Sequence, residues 1–196
     1  MIRPHALAAC SLVALLAGCG TVPKEYYYTL NAQPVAPAAT AGQSSFSIAV
    51  GPVTVPEGLD QPQMVVQVAP NRVAIEEFRR WASPLRSEIA LVIAANLSQM
   101  LNASRVWSYS QANLGKADCQ VLVDVQRFDS TLGDAAVIEA LWTIRLPGGV
   151  VRTGRSLVRE PTTGPGFDAI VGAHGRALGR LSQEIADAIR ASGKLQ

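Results

Sequence analysis

The sequence predicts an α+β domain of two layers, a mainly antiparallel sheet carrying two amphipathic helices on one face. Two observations predict it. Segments with period-2 alternation and segments with helical spacing follow in the order strands, helix, strands, helix. The 196 residues are 48% apolar and 16% charged, which suits one packed domain rather than a disordered chain.

The N-terminus reads as a targeting segment. Arg3 and His5 precede an apolar run of 12 residues, Ala6 to Ala17. A membrane-spanning helix needs about 20, so the run fits a secretory signal. It ends in Leu16-Ala17-Gly18-Cys19, which resembles the lipobox of bacterial lipoproteins. That resemblance makes 1–18 a lipoprotein signal peptide and Cys19 the lipid attachment residue, bearing a diacylglyceryl group and an N-acyl chain. More than one acyl chain gives stable anchoring. Gly20 rather than Asp follows the cysteine, a pattern that in enteric-type sorting goes with outer-membrane delivery.

Tyr26-Tyr27-Tyr28-Thr29-Leu30 has two readings. It is a short strand docked on the domain, or an aromatic cluster at the lipid headgroups. Residues 31–45 are rich in Ala, Pro, Gln and Ser and carry no charge. They read as a flexible tether, so 19–45 is the lipidated N-terminus with its tether and 46–196 the single domain.

Phe46, Ile48 and Val50 alternate; after Gly51-Pro52, Val53 and Val55 continue in the opposite phase, as a strand with a bulge does. Met64–Val68 and Arg72–Ile75 flank Ala69-Pro70-Asn71 as a hairpin. Ser83 and Pro84 read as N-cap and first residue of a helix to Leu101, with Leu85, Ile89, Val92, Ile93 and Leu97 on its apolar face. Val106–Ser110 is a short strand. Cys119, Val121, Val123 and Val125 alternate over a longer one, which makes Cys119 a buried core thiol. Ala136 to Leu146 alternates, Pro147-Gly148-Gly149 turns the chain, and Val151–Arg159 returns with one solvated face. The last helix, from Phe167, contains Gly172, Gly175 and Gly179, at about 1 kcal/mol each against Ala. Close approach to the sheet or to the partner helix accounts for them.

Little here points to chemistry. After removal of residues 1–18 the net charge is +1, unlike the dense basic surface of nucleic-acid binders. No CxxC, metal-ligand spacing, P-loop, GxGxxG or GxSxG occurs, so no metal or cofactor is expected. His174 lies on the apolar helix face and reads as packed. Asp124, Asp129 and Asp134 near a turn read as solvated. So does the mixed-sign group of Arg79, Arg80 and Arg86 with Glu76, Glu77 and Glu88. The sequence does not read as an enzyme.

The stretch NRVAIEEFRRWASPL stands out. With the lipobox, YYYTL, VGPVTVPEGLDQPQMVVQ and the final AHGRALGRLSQEIA, it resembles the PqiC family of ABC-type transport auxiliary lipoproteins. Asn71, Arg72, Trp81, Pro84 and Leu85 carry the central motif. The Ala/Pro-rich insertion after YYYTL departs from the compact family pattern. The resemblance implies an outer-membrane lipoprotein on the periplasmic face. It would dock the outer end of an MCE-type tunnel that works with an inner-membrane permease. This serves inter-membrane lipid transport and envelope integrity. A homo-oligomer would suit a ring-shaped partner. Arg72 and Trp81 are the candidate partner-interface residues, Trp81 partly exposed at a loop–helix junction or capping the helix from the core. The alternative function is a free-standing envelope-assembly lipoprotein that binds a β-barrel or peptidoglycan.

Overall fold

The computed structural model describes residues 23–33, 44–109, 117–146 and 148–192. The signal segment, Cys19 and the Ala/Pro-rich stretch from 34 to 43 lie outside them. The strands are β1 (Tyr26–Tyr28), β2 (Ser44–Thr54), β3 (Gln63–Ala69), β4 (Arg72–Trp81), β5 (Ala103–Ser108), β6 (Cys119–Thr131), β7 (Ala135–Arg145) and β8 (Val151–Pro161). The helices are α1 (Leu85–Met100) and α2 (Gly166–Arg190).

The expected α+β sandwich is present. A five-stranded sheet, ordered β5-β2-β6-β7-β8, carries both helices on one face, α1 over β2 and β5 and α2 over β7 and β8. The long antiparallel ladders of β6, β7 and β8 supply most of its pairing. β2 pairs in parallel with both β5 and β6, which local alternation could not reveal. A second, three-stranded sheet, β1-β4-β3, meets the first where β3 runs beside β6.

The sequence logic of the elements holds with two adjustments, at β4 and at the start of α1. β2 shifts register between Val50 and Val53, at the cis Gly51–Pro52 peptide, as the phase change predicted. Gly51 has φ +123°, and a Cβ there would lie 3.0 Å from that of Tyr109. β4 runs to Trp81 through Glu76, Glu77, Arg79 and Arg80, charged positions that mask its period. Pro84, not Ser83, is the N-cap of α1: its ψ of 129° is extended, and its carbonyl accepts from the N–H groups of Ser87 and Glu88 at 2.8 and 3.1 Å.

The core lies between the sheet and the helices. Cys119 is fully buried, and burial pushes its thiol up to about 12. His174 is fully buried as well. Among the described residues no helix is long and apolar enough to cross a membrane.

Candidate functional site

The motif around Trp81 builds a groove. β1 pairs in parallel with the end of β4, Tyr26 opposite Arg79 and Tyr28 opposite Trp81. Ala82 N–H donates to the Tyr28 carbonyl at 2.9 Å, and Trp81 N–H to that of Pro62 at 2.7 Å. These bonds fix the turn into α1. Above it opens a cleft of about 410 Å3 lined by Tyr27, Pro62, Trp81 and Pro84, with Arg80 and Arg86 at its rim.

Trp81 is 6% exposed, so the expectation of partial exposure is corrected. Its indole meets Phe128 of β6 edge-on, with centroids 6.1 Å apart. The sequence could not place Phe128 beneath it, because that neighbour is 47 residues away. Trp81 is thus the floor of the groove rather than a projecting contact. The rim is charged but balanced: Arg86 pairs with Asp60, and Arg80 with Glu25 at 3.6 Å. Arg72 lies at the other end of β4. Nine residue steps separate it from Trp81, about 30 Å at ~3.3 Å per residue. The structure does not bring the two together.

Tyr27 and Arg80, which the motif reading did not single out as contacts, frame the same groove. Tyr27 donates from its hydroxyl to Glu25 at 2.5 Å, and that bond raises its pKa. Arg79 stacks between Tyr26 and Phe167, 4.6 and 5.2 Å from the ring centroids. The YYYTL motif is therefore a docked strand, and its first two tyrosines remain exposed.

Beyond β1 the chain forms a strap over both helices. Leu30 N–H donates to Glu88 at 3.0 Å, and Gln33 N–H donates to Asn96 at 3.1 Å. Asn96 in turn donates to Ser182 of α2 at 3.1 Å. Glu88 is buried, so it leaves the solvated group assigned to it above. Two of the α2 glycines, Gly175 and Gly179, face this strap rather than the sheet or α1. A Cβ on Gly175 would lie 3.1 Å from the Asn31 carbonyl oxygen, and one on Gly179 3.0 Å from Gln33 Cγ. Gly172 meets only Arg176.

His174 and Ser130 form a hydrogen-bonded pair sealed in the core, 0 and 2% exposed. The histidine Nε2 lies 2.8 Å from Ser130 Oγ, the ring stacks on Phe128, and burial lowers its pKa to about 3. Asp124, Asp129 and Asp134 bind Thr54, Arg127 and Arg159 side chains at the surface. Among the described residues no cluster of His, Cys, Asp and Glu is arranged to hold a metal ion.

Comparison with known proteins agrees with this geometry. The family model of the ABC-type transport auxiliary lipoprotein component matches residues 28–186, from the end of β1 into the last turns of α2. The intermembrane transport lipoprotein PqiC of Escherichia coli (strain K12) is 28% identical over 176 residues, 87% of this chain and 91% of that protein. Its counterpart in Shigella flexneri matches equally. A crystal structure of an uncharacterized protein superposes with a TM-score of 0.70 at 24% identity, over 85% of this chain and 99% of that one. A Xanthomonas campestris protein gives 0.69 at 19% identity, over 86% and 97%. Both share the fold. Because the matched span takes in all of the groove but Tyr27, the strap and both layers, the chain belongs to the family of ABC-type transport auxiliary lipoproteins.

Proposed function

We propose that this auxiliary lipoprotein is the docking subunit of an inter-membrane lipid transport system. It is anchored through Cys19 in the outer membrane and receives the outer end of an MCE-type tunnel whose inner end meets a permease. In this role it maintains envelope integrity, and it acts through surfaces rather than through a reaction. One observation carries the reading: Arg80 to Pro84 of the central motif form the floor and rim of a groove, in a chain related over 87% of its length to a protein named an intermembrane transport lipoprotein. The groove suits an inserted partner side chain or loop, with an apolar floor and a charged rim.

Affinity capture of the protein at native expression from detergent-solubilised envelopes tests this. Recovery of an MCE-domain protein is expected. Recovery of β-barrel or peptidoglycan components without any MCE protein would replace the proposal with the free-standing assembly role.

A further inference from the structure

The β3–β4 hairpin has a composition its protein neighbours do not explain. Met64 and Val66 are buried where β3 runs beside β6. Past Val66 the hairpin leaves the body of the domain. Val68, Val73 and Ile75 are then 50, 54 and 50% exposed. Val65 pairs with Ile75 and Gln67 with Val73, so the two exposed side chains of β4 share the outer face. From Gln63 to Ile75 the only charged residue is Arg72. β1 pairs with β4 only from Arg79 onward, so among the described residues nothing pairs with the outer edge of the upper part of β4. Such an arm in water is an association hazard.

The direction of β1 says what the arm meets. β1 is parallel to β4, so the chain approaches Tyr26 from the side on which the hairpin tip lies. Cys19 precedes Tyr26 by seven residues, and Arg72 precedes its strand neighbour Arg79 by the same seven. Seven residues reach at most about 25 Å. A surface that holds Cys19 is therefore within reach of the hairpin tip.

We infer that the β3–β4 hairpin is a membrane-contact arm: Val68, Val73 and Ile75 enter the headgroup region of the bilayer that anchors Cys19, and Arg72 meets lipid phosphates there. The inference rests on Cys19 as the anchor. It gives the two ends of β4 separate duties, membrane at Arg72 and protein at Trp81. It also removes the association hazard, because the apolar tip is covered whenever the protein is anchored.

The test uses the mature acylated protein in vesicles of phosphatidylethanolamine and phosphatidylglycerol. An environment-sensitive fluorophore is placed at Val73→Cys, and separately at Leu157→Cys on the exposed face of β8; buried Cys119 stays unlabelled. Blue-shifted emission and quenching by lipid-borne quenchers are expected at position 73 and not at 157. The unacylated Cys19→Ser protein should retain weak vesicle binding, falling about tenfold with Val68→Asp and Val73→Asp together. An aqueous spectrum at 73 in protein whose acylation is verified by mass spectrometry overturns the arm and leaves the anchor standing. An unmodified Cys19 overturns the anchor itself. Equal quenching at 73 and 157 indicates general adsorption, and shielding at 73 only after envelope proteins are added indicates a protein interface. Either result overturns the inference.

Discussion

The His174 imidazole lies flat on the Phe128 ring, with centroids 3.8 Å apart and planes 4° apart. Phe128 also meets Trp81, so one aromatic stack ties α2 through β6 to the end of β4. The histidine is neutral there because burial disfavours its charge, and its pKa falls from 6.5 to about 3.

That shift makes folding pH-dependent. The unfolded chain binds a proton at His174 near pH 6.5, and the folded chain does not until about pH 3. The contribution is complete above 6.5 and is lost as pH falls through that window, approaching tenfold in the folding constant per pH unit. From residue 19 onward His174 is the only histidine. Urea midpoints should fall from pH 7 to pH 5, before most carboxylates titrate. His174→Phe should flatten that slope; an unchanged slope would assign it to other groups.

The strap gives a second prediction. Gly175→Leu would place a side chain where the Asn31 carbonyl now lies. The strap backbone would have to lift, breaking the Leu30–Glu88 and Gln33–Asn96 bonds. Hydrogen exchange at the Leu30 and Gln33 amides should accelerate at least tenfold, while the β6–β7 ladder stays protected. Protection at both amides in the variant would show that the glycine serves helix packing instead.

Asn96 joins three elements, accepting from the strap and donating to Ser182. It is fully buried. Asn96→Leu leaves the Gln33 N–H without its acceptor, at about 1–3 kcal/mol. A lower midpoint of denaturation with unchanged m-value is expected. Asn96→Asp keeps the acceptor but buries a charge, and should be at least as damaging.

These elements show which parts of the fold a sequence reveals. β6, β7 and α2 are legible because each buries one face, so alternation or helical spacing is written along the residues themselves. Cys119 and His174 are legible for the same reason. β1 has only three residues and takes its meaning from Arg79–Trp81, over fifty positions away. Glu88 looks like a surface charge until Leu30 arrives from outside its helix. The glycines of α2 announce a close approach, but not that the neighbour is the strap. Trp81 carries no mark of Phe128. Each of these four is a non-local contact, and the groove consists almost entirely of such contacts.

Cross-strand packing of glycine and tryptophan gives a fourth prediction. Trp142 lies across Gly154 on the neighbouring strand, and a Cβ on Gly154 would sit 2.0 Å from Trp142 Cζ2. The indole N–H donates to Ser156 at 3.0 Å, and Ser156 donates to Glu184 of α2. Gly154→Val must eject the indole and break that relay, at about 3 kcal/mol from overpacking and the lost bond. Near-ultraviolet circular dichroism should change while the far-ultraviolet spectrum is kept.

The groove is best tested at its rim. Trp81→Ala removes a core side chain and should cost about 3–5 kcal/mol, so lost partner binding in that variant would report unfolding as well as contact. Arg80 and Arg86 are different. Their ion pairs, with Glu25 and Asp60, are partly or largely exposed and contribute roughly 0–1 kcal/mol each. Charge reversal at both, Arg80→Glu with Arg86→Glu, should leave the thermal midpoint within a few degrees of the parent. If the groove receives the tunnel protein, capture of that partner should fall at least tenfold, because a reversed rim repels what the original rim accommodated. The hairpin variant Val73→Asp, about 26 Å from Trp81 along β4, should leave capture in detergent unchanged. Full capture by the double reversal would move the docking surface away from Trp81.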